Sequence, residues 1–127
     1  MHFSSLQNLT GKSILIVEDE YLVANDLKDY IVDMGATVVG PVATIDEARK
    51  LAYSQKPDCA IMDINLRGEM SFDLIDQFVA QALPVLPVSG YDLYDLPEAY
   101  RGLPYLQKPT CIQSGTIGKV INGSVAP

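Results

Sequence analysis

A small set of residues in this chain has the chemistry to act together: the run Glu18-Asp19-Glu20, the acid Asp63 with Asn65 two places on, the hydroxyl of Ser89 and the ammonium of Lys108. Carboxylates brought close repel one another unless a cation lies between them, and hard oxygen ligands with room for water suit Mg²⁺. A hydroxyl and an ammonium beside such an ion supply donors for anionic oxygens, as a phosphoryl group held between metal and lysine requires. In that setting the central carboxylate, Asp63, is a nucleophile able to form an aspartyl phosphate. Taken singly, each residue also has a plain structural reading. Acids 18–20 suit the first turn of a helix, Asp63 suits a turn or an N-cap, and Ser89-Gly90 is an ordinary turn pair. The choice depends on whether the chain brings them to one place.

The elements that must position them follow from the apolar pattern. Ser13 to Val17 is a continuous apolar run rich in β-branched residues, which predicts a strand covered on both faces. Val23, Leu27, Tyr30, Ile31 and Met34 recur at helical spacing from Tyr21 onward, and Gly35 follows as a left-handed stop. Thr37 to Val39 predicts a second strand, and Thr44-Ile-Asp-Glu47 is a capping box opening a helix that ends before Pro57. Cys59 to Met62 predicts a third strand, followed by a loop through Asn65, Arg67 and Gly68. Leu74, Ile75, Phe78, Val79 and Ala82 form the stripe of a third helix, and Val85 to Val88 is a fourth strand. Pro97, Gly102 and Pro104 limit a fourth helix to about Pro97 to Tyr100. Tyr105 and Leu106 supply a brief fifth strand. Ile112, Ile117, Val120 and Ile121 predict a last helix over 110–122, although Gly115 and Gly118 each cost about 1 kcal/mol relative to Ala.

Strands alternating with helices imply right-handed crossovers and a parallel sheet with helices on both faces, in which function collects at the carboxyl ends of the strands. Glu18-Asp19-Glu20, Asp63, Ser89-Gly90 and Lys108-Pro109 all fall at such ends. Their coincidence on one rim favours chemistry over the separate structural readings.

The pieces Ile14-Leu-Ile-Val-Glu-Asp-Glu20, Ala60-Ile-Met-Asp-Ile-Asn-Leu66, Val88-Ser-Gly90 and Leu106-Gln-Lys-Pro109, in that order, make the chain resemble the response-regulator receiver family from Lys12 to about Asn122. The resemblance implies an α/β, flavodoxin-like doubly wound fold with a five-stranded parallel sheet in the order 2-1-3-4-5 and a short irregular fourth helix. It implies a receiver over residues 13–122, an N-terminal arm over 1–12 and a tail over 123–127 with no output domain. Asp63 is then the phosphoacceptor and Asp19 a direct Mg²⁺ ligand. Glu18 acts on the metal largely through water, and Asn65 offers its backbone carbonyl. Ser89 closes on the phosphoryl oxygens, Lys108 pairs with them, Tyr105 is the aromatic that turns with that closure, and the bond before Pro109 is cis. Asn65-Leu-Arg-Gly68, Ser89-Gly-Tyr91 and the Pro-interrupted fourth helix also resemble the single-domain FAT GUY subgroup. That subgroup carries a Phe shortly before the hydroxyl residue, usually Thr, whereas this chain reads Leu86-Pro87-Val88-Ser89. Pro87 lacks a ladder donor, which predicts an interrupted pairing between strands four and five.

The function implied is a signalling switch and not an enzyme. Asp63 takes a phosphoryl group from a histidine kinase or a histidine phosphotransfer protein, and the output goes to an unknown downstream protein or onward by phosphotransfer. A haloacid-dehalogenase-type phosphatase would need an acid two residues after Asp63, where this chain has Asn65. A receiver-like module that is never phosphorylated would leave the acids, Ser89 and Lys108 without a purpose. The 127 residues, 48% hydrophobic and 20% charged, suit one packed domain. A net charge of -7 with 9 basic residues argues against a nucleic-acid partner. No leader and no apolar run near the roughly 20 residues of a membrane helix are present, so no membrane and a cytoplasmic location are expected. Cys59 and Cys111 read as small hydrophobes, and His2 is no catalytic candidate.

Overall fold

The computed structural model describes residues 9–89, Glu98 and Leu106–Gln107. The elements run β1 (Ser13–Val17), α1 (Tyr21–Asp33), β2 (Thr37–Val42), α2 (Ile45–Gln55), β3 (Cys59–Asp63), β4 (Asn65–Leu66), β5 (Glu69–Met70), α3 (Phe72–Ala80), β6 (Val85–Ser89) and β7 (Leu106–Gln107). A five-stranded sheet is ordered β2-β1-β3-β6-β7, every neighbour parallel. With β6 and β7 as the fourth and fifth long-range strands, this is the order 2-1-3-4-5 that the resemblance implies. The expected fourth helix, the last helix over 110–122, Tyr91, Tyr105, Lys108, Pro109 and Cys111 lie outside the described residues.

The apolar runs are continuous because the sheet has a core on each face. Ile14, Ile16, Cys59, Ile61, Leu86 and Val88 face one side and pack with Leu27 and Ile31 of α1. Leu15, Val17, Ala60, Met62 and Val85 face the other and pack with Ala48 of α2 and with Leu74, Ile75 and Phe78 of α3. Alternate residues of one strand therefore serve two separate cores, and a polar residue at any of them would be buried. The chain before β1 joins this packing: Leu9 is buried in the α1-side core, its N–H donates to the Met34 carbonyl at 2.9 Å, and Thr37 N–H donates to the Lys12 carbonyl at 2.8 Å.

The helix ends follow the local chemistry. After α1, Gly35 at φ +91° lets its own N–H reach the Val32 carbonyl and Ala36 N–H reach the Ile31 carbonyl, the paired bonds of a Schellman stop. At α2, Thr44 Oγ1 accepts the Glu47 N–H at 3.1 Å, as a capping box requires, but its hydroxyl also donates to Glu47 Oε1 at 3.0 Å. The Glu47 side chain thus meets the Thr44 hydroxyl. Helix α3 is shorter than its stripe suggested. Val79 is 41% exposed, and Ala82 lies beyond the helix at φ +62°, in a second Schellman stop closed by Leu83 N–H on the Phe78 carbonyl at 2.9 Å.

Strand β2 runs to Val42 and not only to Val39, past Gly40 and Pro41, whose peptide bond is cis. An edge strand tolerates proline because one side of it needs no ladder donor. Gly40 sits at φ +91°, and a Cβ there would lie 2.9 Å from Val42 N and 3.1 Å from the Ile16 carbonyl oxygen. The close approach coincides with a register shift in the β1–β2 pairing between Leu15 and Val17, after which Glu18 N–H donates to the Val42 carbonyl at 2.9 Å. Buried Pro87 sits in β6 between β3 and β7. The Pro84 and Val88 carbonyls bond toward β3, so backbone alternation turns Pro87 toward β7. The described β6–β7 pairs begin one residue later, at Val88↔Leu106 and Ser89↔Gln107.

Two outcomes test this packing. Ala82 carries a left-handed conformation that costs a non-glycine residue about 1–2 kcal/mol, so Ala82→Gly should raise stability by about 0.5–1 kcal/mol after the entropy cost of glycine. Urea unfolding that shows a higher midpoint at unchanged slope checks it. Cys59 is fully buried, and burial pushes its thiol up to about 12, with a backbone hydrogen bond at Ala60 opposing the rise and the charge of Asp58 adding to it. The folded state favours the neutral thiol, so this contribution to stability is complete below pH 9 and is lost as pH rises toward 12. In a Cys111→Ser chain, Cys59 should resist iodoacetamide at pH 8 until denaturant is added, and alkylation of the native protein at a free-thiol rate would contradict it.

Candidate functional site

The site begins with strand register. Val17 of β1 is level with Met62 of β3, so the next residues, Glu18 and Asp63, emerge side by side at the carboxyl ends of adjacent strands. On the other side Asp63 is level with Val88, and Ser89 with Gln107, the residue before Lys108. The rim expected from the sequence is thus formed by β1, β3, β6 and β7. The backbone of Ser89 is part of it, while the Ser89 hydroxyl, Tyr105, Lys108 and Pro109 lie outside the described residues.

Glu18 is 3% exposed and Asp63 2% exposed, which is unusual for carboxylates. One carboxylate oxygen from each of Glu18, Glu20 and Asp63 lies within 4.8 Å of the others. At that separation, with an effective dielectric constant near 20, the buried Glu18–Asp63 pair alone carries about 3 kcal/mol of repulsion when both are ionised. Backbone donors hold the group: Glu20 N–H donates to Glu18 Oε2 at 3.0 Å and Asn65 N–H donates to Asp63 Oδ1 at 3.0 Å. The donor set is all hard oxygen at high negative charge, which fits Mg²⁺ in chemistry and leaves water to complete its shell.

Asp19, read from the sequence as a direct ligand, stands differently from Glu18 and Glu20. Its Oδ2 accepts the Arg67 N–H at 3.1 Å and it is not in the converging group. The loop after Asp63 is itself a hairpin, β4 against β5, with Arg67 at φ +54° and Gly68 at φ +86° as its two central residues. Positive φ at both positions is the requirement of a type I′ turn, whose twist matches the strands it joins. The Asn65 side chain belongs to that turn, since its Oδ1 accepts the Gly68 N–H at 2.8 Å.

Two residues escaped the sequence reading. Glu20 belongs to the acidic run, and one-dimensional spacing does not say which of three successive acids turns toward the next strand. Ser71 is fully buried and donates from Oγ to the Asp63 carbonyl at 2.7 Å, while its N–H donates to the Ile64 carbonyl at 2.9 Å. It stands before α3, where its type signals a helix cap, yet no side-chain cap bond forms. The hydroxyl anchors the backbone of the strand end that carries Asp63.

The family model described as the response regulator receiver domain matches residues 14–109. The transcriptional regulatory protein PdtaR of Mycobacterium tuberculosis is 30% identical over 105 residues, covering 80% of this chain and 51% of that protein. The chain therefore spans about half the length of PdtaR. The solution structure of the BeF3-activated conformation of SdrG from Pseudomonas melonis Fr1 is 30% identical at TM-score 0.72, covering 98% of this chain and all of that one. The response regulator PhyR from Brucella abortus is 25% identical at TM-score 0.75, covering 95% of this chain and 50% of that chain. The acids, their strand ends and the matched family model together make the chain a member of the response-regulator receiver domain family.

Proposed function

We propose that this receiver is a phosphorylation switch whose acceptor is Asp63. The observation that carries the reading is the convergence of the buried Asp63 carboxylate with those of Glu18 and Glu20 within 4.8 Å. Asn65 N–H holds Asp63 Oδ1, and the other carboxylate oxygen is the attacking atom. It forms the new O–P bond with a phosphohistidine of a histidine kinase or histidine phosphotransfer protein as the P–N bond breaks and its electron pair returns to the imidazole. Glu18, Glu20, Asp63 and the Asn65 carbonyl would hold Mg²⁺, with Asp19 offering the carboxylate oxygen that the Arg67 N–H does not occupy. When bound, the ion offsets negative charge on the phosphoryl oxygens.

Ser89 and Lys108 complete the acceptor site through the family resemblance. The pairing of Ser89 with Gln107 supports it, because Gln107 is the residue before Lys108 in the sequence. Tyr105 and a cis bond before Pro109 belong to the same reading. The activated form of SdrG supports it as well, because trifluoroberyllate on a carboxylate has the shape and charge of a phosphoryl group. A phosphatase of the haloacid-dehalogenase type has no support in the geometry: Asn65 Oδ1 is engaged in the hairpin turn, and an amide is no general acid. The described helices include none long and apolar enough to cross a membrane, which fits action in the cytoplasm. The phosphorylated surface then signals to a downstream protein or passes the group on.

Incubation with acetyl phosphate and Mg²⁺ should give an acid-stable, base-labile adduct on the wild type and none on Asp63→Asn. A wild-type chain that stays unmodified would remove the proposal. Glu18→Gln and Glu20→Gln should each weaken Mg²⁺ binding by about tenfold, equivalent to about 1.4 kcal/mol. Titration of backbone amide shifts with Mg²⁺ measures this directly. If Glu20→Gln binds the ion as the wild type does, Glu20 is not part of the ligand set.

A further inference from the structure

At the opposite end of the molecule, a groove of about 660 Å³ runs between α2 and α3. Its floor includes Phe78, 1% exposed, and Leu83, 9% exposed, and Tyr53 stands at its side 84% exposed. The lining holds Arg49, Lys50 and Lys56, three of the chain's 9 basic residues, and none of its 16 acidic ones. Against a net charge of -7, that concentration of positive charge is the reverse of the molecule's balance. Arg49 bridges the helices by donating from Nε to Gln77 Oε1 at 3.1 Å and from Nη1 to Asp46 at 3.3 Å, which leaves Nη2 for another acceptor. Among the described residues, Lys50 and Lys56 have no ion-pair partner.

We propose that this groove docks a short acidic segment of a partner protein, one that carries an aromatic or leucine side chain among its carboxylates. The apolar floor and Tyr53 take the anchoring side chain, and the three cations take the flanking carboxylates. A nucleic acid fits less well. Three cations, one already shared with Asp46, neutralise few phosphates, and the acidic remainder of the surface repels a polyanion. The lower lip of the groove, Lys56 and Pro57, precedes β3, whereas Asp63 ends it, so the whole strand, about 13 Å long, lies between them. Docking here is separate from the acceptor rim and holds the receiver to its partner in either phosphorylation state.

The full chain is tested against an array of nine-residue peptides in four classes: acidic with one Phe or Leu, acidic without it, neutral with it and basic with it, alongside a twelve-residue oligo-dT. The first class should bind at least tenfold tighter than the other three, with amide shifts centred on Lys50, Tyr53, Gln81 and Ala82. Lys50→Glu/Lys56→Glu, both at exposed positions, should weaken that binding at least tenfold while Asp63 is still modified by acetyl phosphate. Asp63→Asn should bind the peptides within twofold of the wild type. The proposal is overturned if no class binds at millimolar concentration, if neutral peptides bind as well as acidic ones, if the double variant keeps full affinity, or if oligo-dT binds more tightly than the acidic class.

Discussion

Two carboxylates, Glu18 and Asp63, are buried at adjacent strand ends because the parallel register that pairs Val17 with Met62 leaves them nowhere else to go. Much of the local architecture answers that constraint. Like charges in a poorly hydrated place destabilise the fold unless donors or a cation face them. The chain supplies backbone N–H groups from Glu20 and Asn65, and its all-oxygen site has the composition to attract a divalent ion. A site that is unfavourable when empty and relieved by charge neutralisation is well suited to a switch.

The loops on the rim are fixed by small backbone devices and not by bulk packing. Gly40 permits the close approach of β2 to β1 that presents the Val42 carbonyl to Glu18 N–H. The positive φ angles of Arg67 and Gly68 fold the chain after Asp63 into a hairpin, and Asp19 ties that hairpin to the end of β1. Ser71 holds the Asp63 carbonyl from within the core. Beneath them, two separate hydrophobic clusters clamp β1 and β3 from both faces, so the acids project from strands that have little freedom to shift.

The doubly wound arrangement was legible in the sequence because continuous β-branched runs and helical stripes are local patterns with one favoured assembly. Glu18 and Asp63 were legible for the same reason: each directly follows or ends an apolar run. Errors fell where the outcome depended on a neighbour. Val79 and Ala82 have helical spacing, but Val79 sits on an exposed side of α3, and the left-handed conformation of Ala82 ends the helix before that residue. Strand β2 was read as stopping at Val39, whereas its place at the sheet edge let it run through Gly40 and Pro41.

By itself, the sequence determined the strand–helix alternation, the rim on which the polar residues collect and the place of Asp63 at the end of a strand, since each depends on residue type and on periods of two and 3.6. Only the tertiary structure decided which acids converge. It turned Asp19 to the Arg67 N–H and brought Glu20 beside Glu18 and Asp63, because side-chain direction at a strand end is set by the hairpin packed across from it. It also gathered Arg49, Lys50 and Lys56 against an apolar floor from α3. Residues on separate elements share a groove only once the sheet has set those elements side by side.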